Sequence, residues 1–212
     1  MKSLFSPESG LMHFLSNLAD LIILNILFIL FCLPCFTIGA SLTAAYSVAL
    51  RFAGGQWGGV LQQFLKAFRA DFKKSTFTFL ILLLPWLLLS FELILLFSGR
   101  FQTSVWVYAL CYIPIILLFI ASGLVFPLTA QFQNTIPRTL LNALLISLTH
   151  FIPTLLVALL NLLPVLCWYF MPIVFMSTGV IWLLFGASGI AYINSLLISR
   201  IFRQWIPRST NE

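Results

Sequence analysis

Long apolar runs and short polar interruptions divide the chain. Five runs are each near the length that crosses a bilayer: Leu18–Leu33, Phe77–Phe97, Val105–Leu128, Leu140–Leu163 and Ile173–Ile198. About 20 apolar residues in a helix span roughly 30 Å of hydrocarbon. The runs are continuous, whereas strands of an outer-membrane barrel alternate apolar and polar residues over about ten positions. Helices are therefore predicted. A sixth stretch, Cys35–Phe52, is shorter and rich in small residues (Gly39, Ala40, Ser41, Ala44, Ala45, Ala49). The predicted fold class is all-α: a polytopic helical membrane bundle of about six spans, five long and one short.

Local signals refine the elements. Ser6-Pro7-Glu8 starts a helix with a hydroxyl cap, a proline in the first turn and an acid near the helix N-terminus. Leu11, Phe14, Leu15 and Leu18 follow at helical spacing, so this helix begins amphipathic before entering the membrane. Pro34 stops or kinks it. The run Gly54-Gly55-Gln56-Trp57-Gly58-Gly59 reads as a turn. After it, Leu61, Phe64, Leu65, Phe68 and Phe72 form an apolar stripe, with Gln62, Gln63, Lys66, Arg69 and Lys73 between them. A basic amphipathic helix with an aromatic face suits the headgroup plane, so residues 60–74 are expected to form a cytoplasmic interfacial helix. Its residues Phe64, Lys66, Phe68, Arg69, Phe72, Lys73 and Lys74 are candidate contacts, either with lipid or with a cytoplasmic partner. Asn161–Met171, with Trp168 and Tyr169, is expected as an interfacial or partly re-entrant outer connection. Small residues recur every four positions as Ser41, Ala45, Ala49 and as Ala187, Ala191, Ser195. Such stripes let helices approach closely, within the chain or between copies of it.

Composition narrows the class. Of 212 residues, 61% are hydrophobic and 8% charged, with a mean hydropathy of +1.09; sixteen charged side chains cannot cover a soluble globule. A single domain over 1–212 is expected. The net charge of +6 reads as topology. Lys2, Arg51, Lys66, Arg69, Lys73, Lys74, Arg138, Arg200, Arg203 and Arg208 fall on one side of a six-span layout, and Arg100 on the other. The positive-inside rule makes the larger group cytoplasmic, and the C-terminus with it. The side of the N-terminus depends on whether Cys35–Phe52 crosses. Nucleic acid is not an expected partner, because the basic residues are juxtamembrane. The first run lacks the short basic leader of a secretory signal and is expected to remain as an anchor.

Chemistry-bearing residues are sparse. His13 and His150 are the two histidines, and there is no H-E-x-x-H, phosphate-binding glycine loop or G-x-S-x-G. No enzyme activity, catalytic residue, cofactor or metal site is expected. Cys32-Leu33-Pro34-Cys35 has redox spacing but an apolar setting, which suppresses the thiolate. Intramembrane polar groups are functional candidates because each is costly unless paired. These are Asp20, Asn25, Glu92, His150 and Asn194, with Asn161 beside them. They would serve either as interhelical hydrogen bonds or as a solute or proton path. Glu92 could approach Arg100.

Several stretches in order resemble the YesL family of bacterial membrane proteins, a domain of unknown function. They are Leu24-Asn25, Leu33-Pro34, Thr37-Ile38-Gly39-Ala40, Ala44-Ala45-Tyr46, the aromatic-basic run Phe64–Lys74, Phe126-Pro127-Leu128 with Phe132 and Asn134, Leu141-Asn142-Ala143-Leu144, and Ala191-Tyr192-Ile193-Asn194. Cys32 and Cys35 stand where that pattern has ordinary apolar residues. The resemblance implies a bacterial plasma membrane protein encoded near carbohydrate ABC importers. The function expected from it is a non-enzymatic accessory or regulatory subunit of an oligosaccharide ABC uptake system, touching the permease subunits and the lipid bilayer. The alternatives are an independent small-solute transporter and a membrane scaffold or assembly factor. The sugar and the oligomeric state are not determined by these residues.

Overall fold

The computed structural model describes residues 10–97 and 105–202. The expected helix start at Ser6-Pro7-Glu8, and Lys2, Arg100, Arg203 and Arg208, lie outside the described residues. Eight helices are described: α1 (Gly10–Cys32), α2 (Ile38–Ala53), α3 (Val60–Phe97), α4 (Val105–Gln131), α5 (Ile136–Thr149), α6 (Phe151–Phe170), α7 (Pro172–Ser177) and α8 (Gly179–Phe202). A 3₁₀ turn, Cys35–Thr37, leads into α2, and a π-helical turn, Trp182–Gly186, interrupts α8. Six segments are long and apolar enough to cross a membrane: α1, Cys35–Ala53, α3, α4, α6 and α8. The protein is an all-α, multi-pass membrane bundle.

Four elements differ from the sequence-based expectation. The span expected over Leu140–Leu163 is two helices, α5 and α6, separated at His150 (φ −116°, ψ 53°). Pro153 explains the break. Inside a continuous helix its ring would clash and its absent N–H would strand a carbonyl; in the first turn of α6 neither problem arises. Secondly, Asn161–Met171 is not an outer connection, because α6 stays helical through Phe170. Thirdly, residues 60–74 do not form a separate helix; they are the first turns of the 38-residue α3. Nothing between Lys74 and Phe77 breaks a helix, and Thr78 bonds back to the Lys74 carbonyl at 2.8 Å. Finally, the run expected from Ile173 is split into α7 and α8 around Thr178.

Helix α2 is the central post. Ten of its sixteen residues are buried, and it packs on α1, α3, α4 and α8. Its small residues make this possible, since Ala, Gly and Ser let four neighbours approach one backbone. Ser41, Ala45 and Ala49 are all buried, as are Ala191 and Ser195 from the corresponding stripe of α8. Two apolar clusters surround the post. One joins Tyr46, Leu124, Val125, Val157 and Ile198; the other joins Leu24, Leu27, Val48, Phe52 and Phe64. The outer surface is apolar too: Ile152 and Tyr169 of α6 are 73% and 77% exposed. Extended apolar exposure of this kind suits contact with acyl chains.

The tightest contact is between α2 and α3. A Cβ on Gly39 would lie against the Ser75 carbonyl oxygen and 2.6 Å from Phe79 Cβ. Because the obstacle includes backbone, Gly39→Ala must push the two helices apart. The expected loss is about 1–3 kcal/mol, read as earlier thermal unfolding in detergent. Gly189→Ala, where nothing lies within 4 Å, should unfold at the wild-type temperature.

Candidate functional site

Two polar centres occupy the apolar interior. The first is Asn25 of α1, fully buried. Its Nδ2 donates to the Leu183 carbonyl at 2.6 Å and approaches that of Trp182 at 3.5 Å. Its Oδ1 accepts the N–H groups of Ala187 and Ser188, both at 2.9 Å. In an unbroken α-helix the Ala187 N–H would meet the Leu183 carbonyl directly. The π turn separates that pair, and the Asn25 amide is inserted between them. One carboxamide, which both donates and accepts, bonds to backbone groups on both sides of the π turn.

The second centre joins three helices. Asn194 of α8 donates from Nδ2 to Tyr46 Oη on α2 at 3.1 Å and to Asn161 Oδ1 on α6 at 2.9 Å. Asn194 Oδ1 is buried without a hydrogen-bond partner among the described residues. Tyr46 and Asn161 also line two adjacent cavities. One, of about 350 Å³, lies between α2, α3, α4 and α6, with Phe79, Trp86, Phe119 and Gly123 in its wall. The other, of about 310 Å³, lies between α1, α2, α6 and α8, with Asn25, Trp182 and Ala187 in its wall. The walls are mostly hydrocarbon and aromatic, with Leu42, Tyr46 and Asn161 common to both.

Asp20 has a different role. Its Oδ2 accepts the Gly58 N–H at 2.9 Å, tying α1 to the α2–α3 turn. Gly55, Gly58 and Gly59 all have positive φ, a conformation that glycine adopts without steric cost. Trp57 in this turn stacks on Phe52 (centroids 4.3 Å apart) and meets Tyr192 at 5.3 Å.

The first half of α3 is two-faced. Phe64 is fully buried beside Leu24 and Val48, and Phe31 of α1 packs on Phe64 and Phe68 (5.4 and 4.8 Å). The aromatic face therefore meets the chain's own helices at Phe64, while Lys66, Arg69 and Lys73 are exposed. Lys74 Nζ donates to the Phe132 carbonyl at 3.4 Å, at the end of α4 where a cation suits the helix dipole.

The remaining candidates lie apart from these centres. His150 sits at the α5–α6 break, where its carbonyl accepts the Thr154 N–H and hydroxyl. Glu92 lies near the end of α3, half-buried, and its expected partner Arg100 is outside the described residues. Cys32, Cys35 and Cys167 are free thiols, and among the described residues no group of three metal-ligating side chains converges. Sequence reasoning did not assign a role to Tyr46, nor foresee the π turn. Tyr46 carries one usable signal, an aromatic hydroxyl beside a small-residue stripe, whereas nothing in Trp182–Gly186 marks a π turn.

Among families, the model described as a protein of unknown function, DUF624, matches residues 21–93. No curated protein matches the chain, and no solved structure does. The matched stretch holds Asn25, Gly39, Tyr46 and the basic run, so it covers one partner of each polar centre.

Removing the Asn25 amide takes one hydrogen bond each from the Leu183 carbonyl and from the Ala187 and Ser188 N–H groups of α8. Asn25→Leu should lose about 1–3 kcal/mol, seen as a lower unfolding midpoint in detergent. Asn25→Gln, one methylene too long for the gap, should recover only part of the loss.

Proposed function

Since residues 21–93 carry the DUF624 domain of YesL-like membrane proteins, we propose that the chain is a non-enzymatic accessory or regulatory subunit of a carbohydrate ABC importer in a bacterial plasma membrane. The single observation favouring a supporting role over a conduction path is where the intramembrane polar groups are spent. Asn25, Asn194 and Asp20 all bond to the chain's own groups and hold helices together. The apolar exterior offers surface for the permease pair.

The proposed orientation places the C-terminus and the cationic stretch Lys66–Lys74 of α3 in the cytoplasm. Its support is that the layout expected from the sequence puts ten of the eleven Lys and Arg residues on one side. A cysteine added after Glu212, on a background with the native cysteines replaced, should react with a membrane-impermeant maleimide only after cells are opened. Labelling of intact cells would reverse the layout.

The expected outcome for the role itself is co-purification of the permease pair in mild detergent, with slower sugar uptake in a deletion strain at unchanged permease abundance. Loss of permease abundance instead would favour an assembly factor. A working importer in the deletion strain, with no co-purification, would remove the proposal.

The two cavities that meet at Tyr46 and Asn161 favour a second reading, an independent carrier of a small solute. On that reading, proteoliposomes show flux that Asn161→Leu abolishes; absence of flux from wild-type protein counts against it.

A further inference from the structure

A boundary between charge and hydrocarbon runs along the first half of α3. Lys66, Arg69 and Lys73 recur at i, i+3 and i+7 and are all exposed. Beside them, around the α1–α2 turn, Leu30, Leu33 and Phe36 are 55%, 72% and 57% exposed. Two shallow grooves meet at this boundary. One, of about 340 Å³, has Arg69 and Lys73 at its rim and Phe68 and Phe72 in its wall. The other, of about 350 Å³, continues from the same Phe68 and Phe72 to Phe31, Phe36 and Leu30.

We propose that this paired groove is a binding site for one anionic phospholipid. Its phosphate lies against Arg69 and Lys73, and an acyl chain follows Phe72, Phe36 and Leu30. The pairing of a cationic rim with a continuous apolar floor matches both ends of an amphiphile. A free phosphate uses the rim alone, and an acidic protein segment leaves the floor uncovered. Charge complementarity favours an anion: residues 66–74 hold four cations and one carboxylate, Asp71. Lys74 is turned away to the Phe132 carbonyl, which leaves Arg69 and Lys73 as the rim. In a multi-pass membrane protein, a lipid is also the ligand already at hand. The proposal stands apart from any role in sugar uptake.

The test is native mass spectrometry of the full chain with equimolar dioleoyl phosphatidylglycerol and phosphatidylcholine. Wild-type protein should retain one phosphatidylglycerol with about thirtyfold preference, the scale expected of two cations near a phosphate. Arg69→Gln with Lys73→Gln should abolish the preference, and Arg69→Lys with Lys73→Arg should keep it. Phe36→Ser should weaken retention several-fold by removing apolar floor. Arg51→Gln with Arg138→Gln, which removes two cations elsewhere, should change nothing. Equal loss in that control pair would show a diffuse charge effect and overturn the site. Displacement of the lipid by millimolar inorganic phosphate or an acidic peptide would overturn it too, as would equal retention of both lipids by wild-type protein.

Discussion

Within hydrocarbon, a backbone amide or carbonyl without a partner costs several kcal/mol, because no water is present to replace the lost hydrogen bond. The bundle depends on how that demand is met where α8 departs from α-helical geometry. The π turn over Trp182–Gly186 opens the ladder between Leu183 and Ala187, and Asn25 closes it from another helix. The closure joins residues 158 positions apart, so it also fixes how the first helix lies against the last. Association of membrane helices draws little on the hydrophobic effect, since lipid tails are as apolar as leucine. A four-point amide clamp is therefore an orienting device as well as a patch.

Around it, close packing does most of the remaining work. Helix α2 is lined with alanines, serines and Gly39, and it accepts α1, α3, α4 and α8 on different sides. The near-contact of Gly39 with Ser75 and Phe79 shows how little room is left. Tyr46 stands among these small residues as a large, buried one. Its hydroxyl meets Asn194 while its ring borders both cavities. Small residues and the tyrosine thus meet on one face, where both cavities are lined by Leu42, Tyr46 and Asn161.

The charged half of α3 shows why periodicity and environment are separate questions. Its stripe of Phe64, Phe68 and Phe72 predicts an amphipathic helix, and the helix is there. What the apolar face touches does not follow from the stripe. At Phe64 it is α1 and α2 rather than lipid or a partner, because the α2–α3 turn, drawn in by Asp20 and Gly58, brings this half alongside them. Lys66, Arg69 and Lys73 stay exposed on the opposite side. One helix thereby joins a packed face, a cationic face and an apolar crossing segment.

Helical class, the multi-pass architecture and the stripes of α2 and α8 were legible because they depend on properties carried residue by residue: hydropathy, charge and side-chain size. The break at His150 was half legible, since Pro153 was in view but a proline alone does not distinguish a kink from an end. The π turn, the Asn25 clamp, the Tyr46–Asn194–Asn161 junction and the cavities were decided only by tertiary structure. Each depends on groups from distant parts of the chain meeting at hydrogen-bond distance. Local sequence encodes which backbone groups need a partner, and only the assembled helices determine which side chain supplies it.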